Sequence, residues 1–107
     1  MRRLFPLLAL ALAACTSNRP HLRTTLGPNA RAEVRVTDAA RVRVKNGGPG
    51  RLQVRFGEEV GVWITPGGRV ATEPRGDARI VLLTEGESAR VDVVANGATG
   101  IALESRQ

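Results

Sequence analysis

Arg41-Val42-Arg43-Val44-Lys45-Asn46-Gly47-Gly48-Pro49-Gly50-Arg51-Leu52-Gln53-Val54-Arg55-Phe56 consists of two short runs of alternating apolar and polar residues around a glycine-rich connection. In an extended strand successive side chains point to opposite faces, so this period of two directs Val42, Val44, Leu52 and Val54 toward a core. The alternate positions carry charge and face solvent. Asn-Gly-Gly-Pro-Gly is rich in residues that tolerate positive φ, and the stretch reads as an antiparallel hairpin.

The same texture extends to both sides. Ala32 to Val36 precedes the stretch, and Val60 to Thr65, Arg69 to Glu73, Ala78 to Thr84, Ala89 to Ala95 and Gly100 to Glu104 follow it. Pro66-Gly67 marks a turn, and Asn96-Gly97 reads as the turn of a last hairpin. Strands spaced about ten residues apart, with no helical period, predict an all-β fold. The expected architecture is a small antiparallel β-sandwich of seven to eight strands, immunoglobulin-like, with a small β-barrel as the alternative. The Cys…Trp…Cys signature of antibody domains is absent, so strand number and spacing carry this expectation. The expected inward set is Val34, Val36, Val42, Val44, Leu52, Val54, Phe56, Val60, Val62, Ile64, Val70, Ile80, Leu82, Val91, Val93, Ile101 and Leu103. Ile80-Val81-Leu82-Leu83 is apolar throughout, which predicts a central strand covered on both faces. Trp63 has the opposite parity from Val62 and Ile64, so it faces outward as a candidate partner contact.

The N-terminal text differs. Arg2 and Arg3 precede Leu4 to Ala14, an uncharged apolar run that as a helix spans only about 16 Å against a hydrocarbon core of about 30 Å. That is a signal-peptide pattern rather than a membrane span. The run ends in Leu12-Ala13-Ala14-Cys15, which resembles the lipobox of bacterial lipoprotein precursors at all four positions. The resemblance implies cleavage between Ala14 and Cys15 and a diacylglyceryl thioether on the Cys15 thiol. A further acyl chain such as palmitate on the new amine follows in that family. Two or more chains anchor a protein stably, whereas one gives marginal binding. Thr16 is not the aspartate that retains many such proteins at the inner membrane. The expected location is therefore the cell envelope, lipid-anchored at the outer membrane and facing the periplasm.

The expected organisation is a cleaved signal over residues 1–14, a lipidated cysteine and flexible linker over 15–28, and the β-domain over 29–107. Pro20, Gly27 and Pro28 support the linker reading, and His21 within it reads as a solvated residue.

Composition excludes more chemistry than it suggests. The chain has one cysteine, one histidine and no tyrosine. Cys15 is assigned to lipid and His21 to the linker, which leaves no Ser-His or Cys-His pair and no histidine metal site. Glu58-Glu59 is an exposed turn pair, and Arg75-Gly76-Asp77 matches an integrin-read tripeptide but is also ordinary turn chemistry. No enzyme activity, cofactor or metal is expected.

Charge is distributed unevenly. Arg19 to Arg55 carries nine basic residues against two acidic ones, while Phe56 to Gln107 carries five against eight, within a net charge of +6. On the expected hairpin Arg41, Arg43, Lys45, Arg51 and Arg55 share one face, and Arg35 extends it. Such a face concentrates anions, but charge on an edge hairpin also discourages strand-to-strand aggregation. The sequence therefore supports a non-enzymatic envelope protein with an interaction or structural role. The alternative is a module whose basic face binds lipopolysaccharide, teichoic acid or peptidoglycan. A lysozyme-inhibitor-like role fits less well, since lysozymes are commonly basic. Nucleic acid is disfavoured by export and by the scarcity of aromatic residues.

Overall fold

The computed structural model describes residues 20–106, so the signal segment, Cys15 and residues 16–19 of the expected linker lie outside the described residues. Nine strands are present among the described residues: β1 (His21–Leu26), β2 (Arg31–Ala39), β3 (Arg41–Pro49), β4 (Leu52–Phe56), β5 (Val62–Ile64), β6 (Arg69–Thr72), β7 (Gly76–Thr84), β8 (Ala89–Asn96) and β9 (Gly100–Arg106).

Their pairing is best followed from the β4–β5 turn. There Gly57 takes a φ of 60° and the Glu59 N–H donates to Phe56 O at 3.0 Å, returning the chain so that Val54 opposes Val62. Outward from this turn the antiparallel pairs nest: β3 with β6, β2 with β7, β1 with β8. The chain from β1 to β8 is thus one long hairpin. Rolling it up brings β8 against β3 and β7 against β4, which makes two antiparallel sheets, β1-β8-β3-β6 and β5-β4-β7-β2-β9. This is the jelly-roll arrangement with β9 added beside β2. The expected all-β, two-sheet antiparallel sandwich is present. Its connectivity is not immunoglobulin-like, and it has nine strands rather than seven or eight.

The stretch 41–56 is not a hairpin. Strand β3 continues through Pro49, and Gly50-Arg51 carries the chain across to β4 in the other sheet. Buried Asn46 holds this crossing: its Nδ2 donates to Gly50 O and Ile64 O, both at 2.9 Å, and its Oδ1 accepts from the Gly48 N–H at 2.8 Å. Gly50 is required by proximity. Its N–H donates to Ser88 O at 2.8 Å, and a Cβ there would lie 2.7 Å from Glu87 Cβ and 2.9 Å from Ser88 O. Gly50→Ala should therefore cost about 2 kcal/mol through overpacking, read as a lower urea midpoint with unchanged slope. Asn96-Gly97 likewise links strands of different sheets, β8 to β9.

The expected linker contains a strand. β1 pairs with β8 along its whole length and is pinned by fully buried Leu26, with Leu22 packed partly against the core. Only two apolar side chains point inward from this edge, too few to stand out as a period.

The valine-rich core forms between the sheets largely as expected. Val34, Val36, Val42, Val44, Leu52, Val54, Ile80, Leu82, Val91 and Val93 are buried, and Phe56, Val70, Ile101 and Leu103 pack partly against them. Val60 and Val62 depart from expectation at 89% and 50% exposed. Val60 lies in the turn, and β5 is a three-residue edge strand. As expected, β7 is central in its sheet, yet no second layer covers its outer face. Val81 is only 7% exposed because Arg31, Arg55 and Arg79 surround it, an instance of arginine stems covering apolar surface.

Candidate functional site

The roll-up decides which cations become neighbours. Arg41, Arg43 and Lys45 project from the outer face of the four-stranded sheet, whereas Arg35, Arg51 and Arg55 lie on β2 and around β4 in the five-stranded sheet. The single basic face expected from a β3–β4 hairpin is therefore split between the two outer faces of the sandwich, because consecutive strands lie in opposite sheets.

Residues distant in sequence complete the face around β3. Lys45 opposes Arg69 of β6 on one side and Asp92 of β8 on the other, and Asp92 opposes Arg23 of β1. One row across all four strands thus reads Arg69, Lys45, Asp92, Arg23. Two residues along the strands, the next row reads Ala71, Arg43, Val94, His21. Arg90 opposes Thr25 beyond the first row, and Arg41 opposes Asn96 beyond the second. The face therefore gathers Arg23, Arg41, Arg43, Lys45, Arg69 and Arg90 with His21. Asp92 is the sole acid within its four strands, and Glu73 lies one residue past β6.

Asp92 is already engaged. Its Oδ1 lies 3.1 Å from Arg23 Nε and 3.6 Å from His21 Nε2. Among the described residues Arg41, Arg43, Lys45, Arg69 and Arg90 form no ion pair. Two shallow depressions share Lys45 and Asp92. One of about 410 Å³ is bordered by Arg23 and Arg90, and the other, about 200 Å³, by His21, Arg43 and Arg69.

The opposite face is largely neutralised. Glu33 pairs with Arg31 at 2.9 Å and Arg79 at 3.6 Å, Glu104 with Arg35 at 3.3 Å, and Glu85 with Arg51 at 2.7 Å. Arg55 borders a depression with Glu58. Trp63 is 38% exposed, as its parity predicted, and the Arg51 guanidinium sits 4.3 Å above its ring, within cation–π range. Glu58 and Glu59 are exposed at the β4–β5 turn. In Arg75-Gly76-Asp77, Asp77 Oδ1 accepts from the Asp38 N–H at 3.1 Å, so this carboxylate serves its own corner. Among the described residues no group of three or more His, Cys, Asp or Glu side chains is placed to hold a metal.

Sequence reasoning missed His21, Arg23, Arg69, Arg90 and Asp92 as members of one face. Arg90 and Asp92 do alternate with Val91 and Val93, so their outward direction was readable. That β8 lies beside β3 was not, since this contact exists only after the long hairpin rolls up.

No family model and no curated protein sequence matches this chain. Solved structures share its fold. A de novo designed double-stranded β-helix is 19% identical with a TM-score of 0.60, the match covering 72% of this chain and 99% of that one. An uncharacterized conserved protein with a double-stranded β-helix domain from Klebsiella pneumoniae is 18% identical at a TM-score of 0.60, covering 81% and 75%. A structure of DMSP lyases is 12% identical at a TM-score of 0.59, covering 81% of this chain and 44% of that one. At these identities the likeness establishes the double-stranded β-helix fold alone, a scaffold that serves enzymes and other proteins alike.

Proposed function

We propose that this chain is a lipid-anchored protein of the bacterial cell envelope, at the outer membrane and facing the periplasm. Its role is non-enzymatic, and the outer face of its four-stranded sheet is its contact with anionic groups of the envelope. The observation that carries the reading is the five cations on that face that form no ion pair among the described residues, opposite a face whose arginines are mostly matched by glutamates. Edge protection accounts only for Arg69, on the edge strand β6. Arg41, Arg43 and Lys45 lie on β3, an interior strand of the order β1-β8-β3-β6, where no open edge needs guarding. Lys45 stands between Arg69 and Asp92 in its row, so the like-charge contact on one side is offset by an opposite charge on the other. Arg69 and Arg43 have no such acid opposite them, and an anionic partner would supply it. Trp63, with Val62 beside it on the β5 edge, is a separate candidate contact for a protein partner.

The soluble domain, residues 16–107, tests this by co-sedimentation with native envelope fractions over a salt series. Arg43→Glu with Lys45→Glu should weaken binding by more than tenfold, at about 1 kcal/mol for each basic charge removed near an anionic surface. Arg35→Glu with Arg55→Glu changes net charge equally on the other face and should leave binding within about twofold of the parent. Equal losses in both variants would reduce the effect to net charge and remove the site.

A further inference from the structure

We infer that the cationic face of the four-stranded sheet docks on the anionic headgroups of the same bilayer that holds the Cys15 anchor, laying the domain flat with its five-stranded sheet turned outward. The inference rests on the lipid-anchored reading above and names the partner of that face.

The length of the tether argues for it. His21 is the first residue of β1 and itself belongs to the cationic face. Six Cα steps separate it from Cys15, a reach of at most about 20 Å when fully extended. Four strands spaced about 4.8 Å apart place β6 only about 15 Å across the sheet from β1. An anchor at Cys15 therefore holds the whole face within about 40 Å of the membrane, short enough for the face to swing down onto it.

Charge and shape argue the same way. Screening at physiological salt confines attraction between exposed charges to about 8 Å, so a scattered patch is weak when free and effective when tethered at the surface. The acyl chains supply attachment by themselves, which leaves the basic patch to set how the domain lies on the bilayer. The unpaired cations are spread over β3, β6 and β8 rather than aligned in a groove, which suits a planar array of headgroups better than a polymer thread. The glutamates paired on the opposite face make the field one-sided, and a one-sided field sets an orientation.

The test uses the full acylated chain, purified from cells and reconstituted into vesicles. The vesicles contain either a zwitterionic lipid alone or the same lipid mixed with an anionic one. Ala71→Cys lies in the Arg43 row of the cationic face, and Ala102→Cys opposes Arg35 on the other face; both sites are exposed. Each carries a polarity-sensitive fluorophore. The label at position 71 should shift to the blue in anionic vesicles only, and the label at 102 in neither. Raising salt from about 0.1 M to about 1 M, which shortens the screening length from about 10 to about 3 Å, should abolish the shift. Arg43→Ala with Lys45→Ala should lower the docked-to-undocked ratio by about 25-fold, at about fivefold per cation.

An acylated chain whose label at 71 behaves alike in both vesicles overturns this inference and leaves the anchor standing. A shift that appears only when a soluble anionic polymer is added also overturns it, while supporting the envelope contact proposed above. A chain that mass spectrometry finds without acyl groups overturns the anchor and this inference together.

Discussion

Asn46→Ala should lose about 3–5 kcal/mol of stability, which leaves much of the domain unfolded at physiological temperature. Asn46 is fully buried in β3, and its side chain makes three hydrogen bonds to backbone groups of three different residues. Alanine removes all three and leaves Gly50 O, Ile64 O and the Gly48 N–H without those partners. Each buried group left unpaired costs about 1–3 kcal/mol. A single domain of this size holds about 5–10 kcal/mol in total, so the substitution consumes a large share. The expected fall in melting temperature is about 20 °C. Asn46→Asp makes the argument specific. It keeps the acceptor for Gly48 but aims a carboxylate oxygen at two carbonyls, so at neutral pH it should destabilise at least as much as alanine. Thermal melting of both variants checks this, and an aspartate variant as stable as the parent would refute the bonding assignment.

Leu82→Ala is expected to cost about 3 kcal/mol. Leu82 is fully buried at the centre of β7, between Ala32 of β2 and Val54 of β4. Truncation removes its transfer free energy and leaves a cavity that a rigid two-sheet core closes only in part. Its neighbour Leu83 points to the outer face and is half-buried, so Leu83→Ala should cost about 1 kcal/mol or less. Val60→Ala, at a side chain 89% exposed, should change nothing measurable. Urea midpoints with unchanged slope rank the three. Equal costs at positions 82 and 83 would mean that the outer face of β7 is covered as fully as the inner one.

These two predictions differ in how visible their basis was beforehand. Leu82 belongs to the run Ile80-Val81-Leu82-Leu83, apolar throughout, and its burial followed from that run reading as a central strand. Asn46 read as a turn residue, because Asn-Gly is the strongest local hairpin signal. Its side chain in fact crosslinks the interior of β3 to Gly50 and to the end of β5, at Ile64, eighteen residues away. Local chemistry read a turn where the strand runs on through Pro49 with alternate residues still buried. Strand β1 was hidden for a related reason: an edge strand with two inward side chains carries little period, and its order comes from pairing with β8.

The basic site divides in the same way. The outward direction of Arg41, Arg43 and Lys45 was legible, as was the exposure of Trp63, since side-chain direction in a strand depends only on position along it. The company each residue keeps was not. Arg51 and Arg55 follow β3 closely in sequence yet lie on the opposite face, while Arg69, Arg90 and Arg23 come from afar to complete the site.

The all-β antiparallel class, the valine core and the sign of the outward charge were legible in the residues, while a sandwich and a small barrel both stayed open. All of these depend on a period of two and on composition within a few neighbouring residues. Long-range pairing settled the rest: one long hairpin rolls into a two-sheet jelly roll, which sets the cations that stand together without an ion pair among the described residues. Strand partnership is set by contacts between residues up to about seventy positions apart, such as His21 with Val94, and such contacts form only where the whole core closes at once.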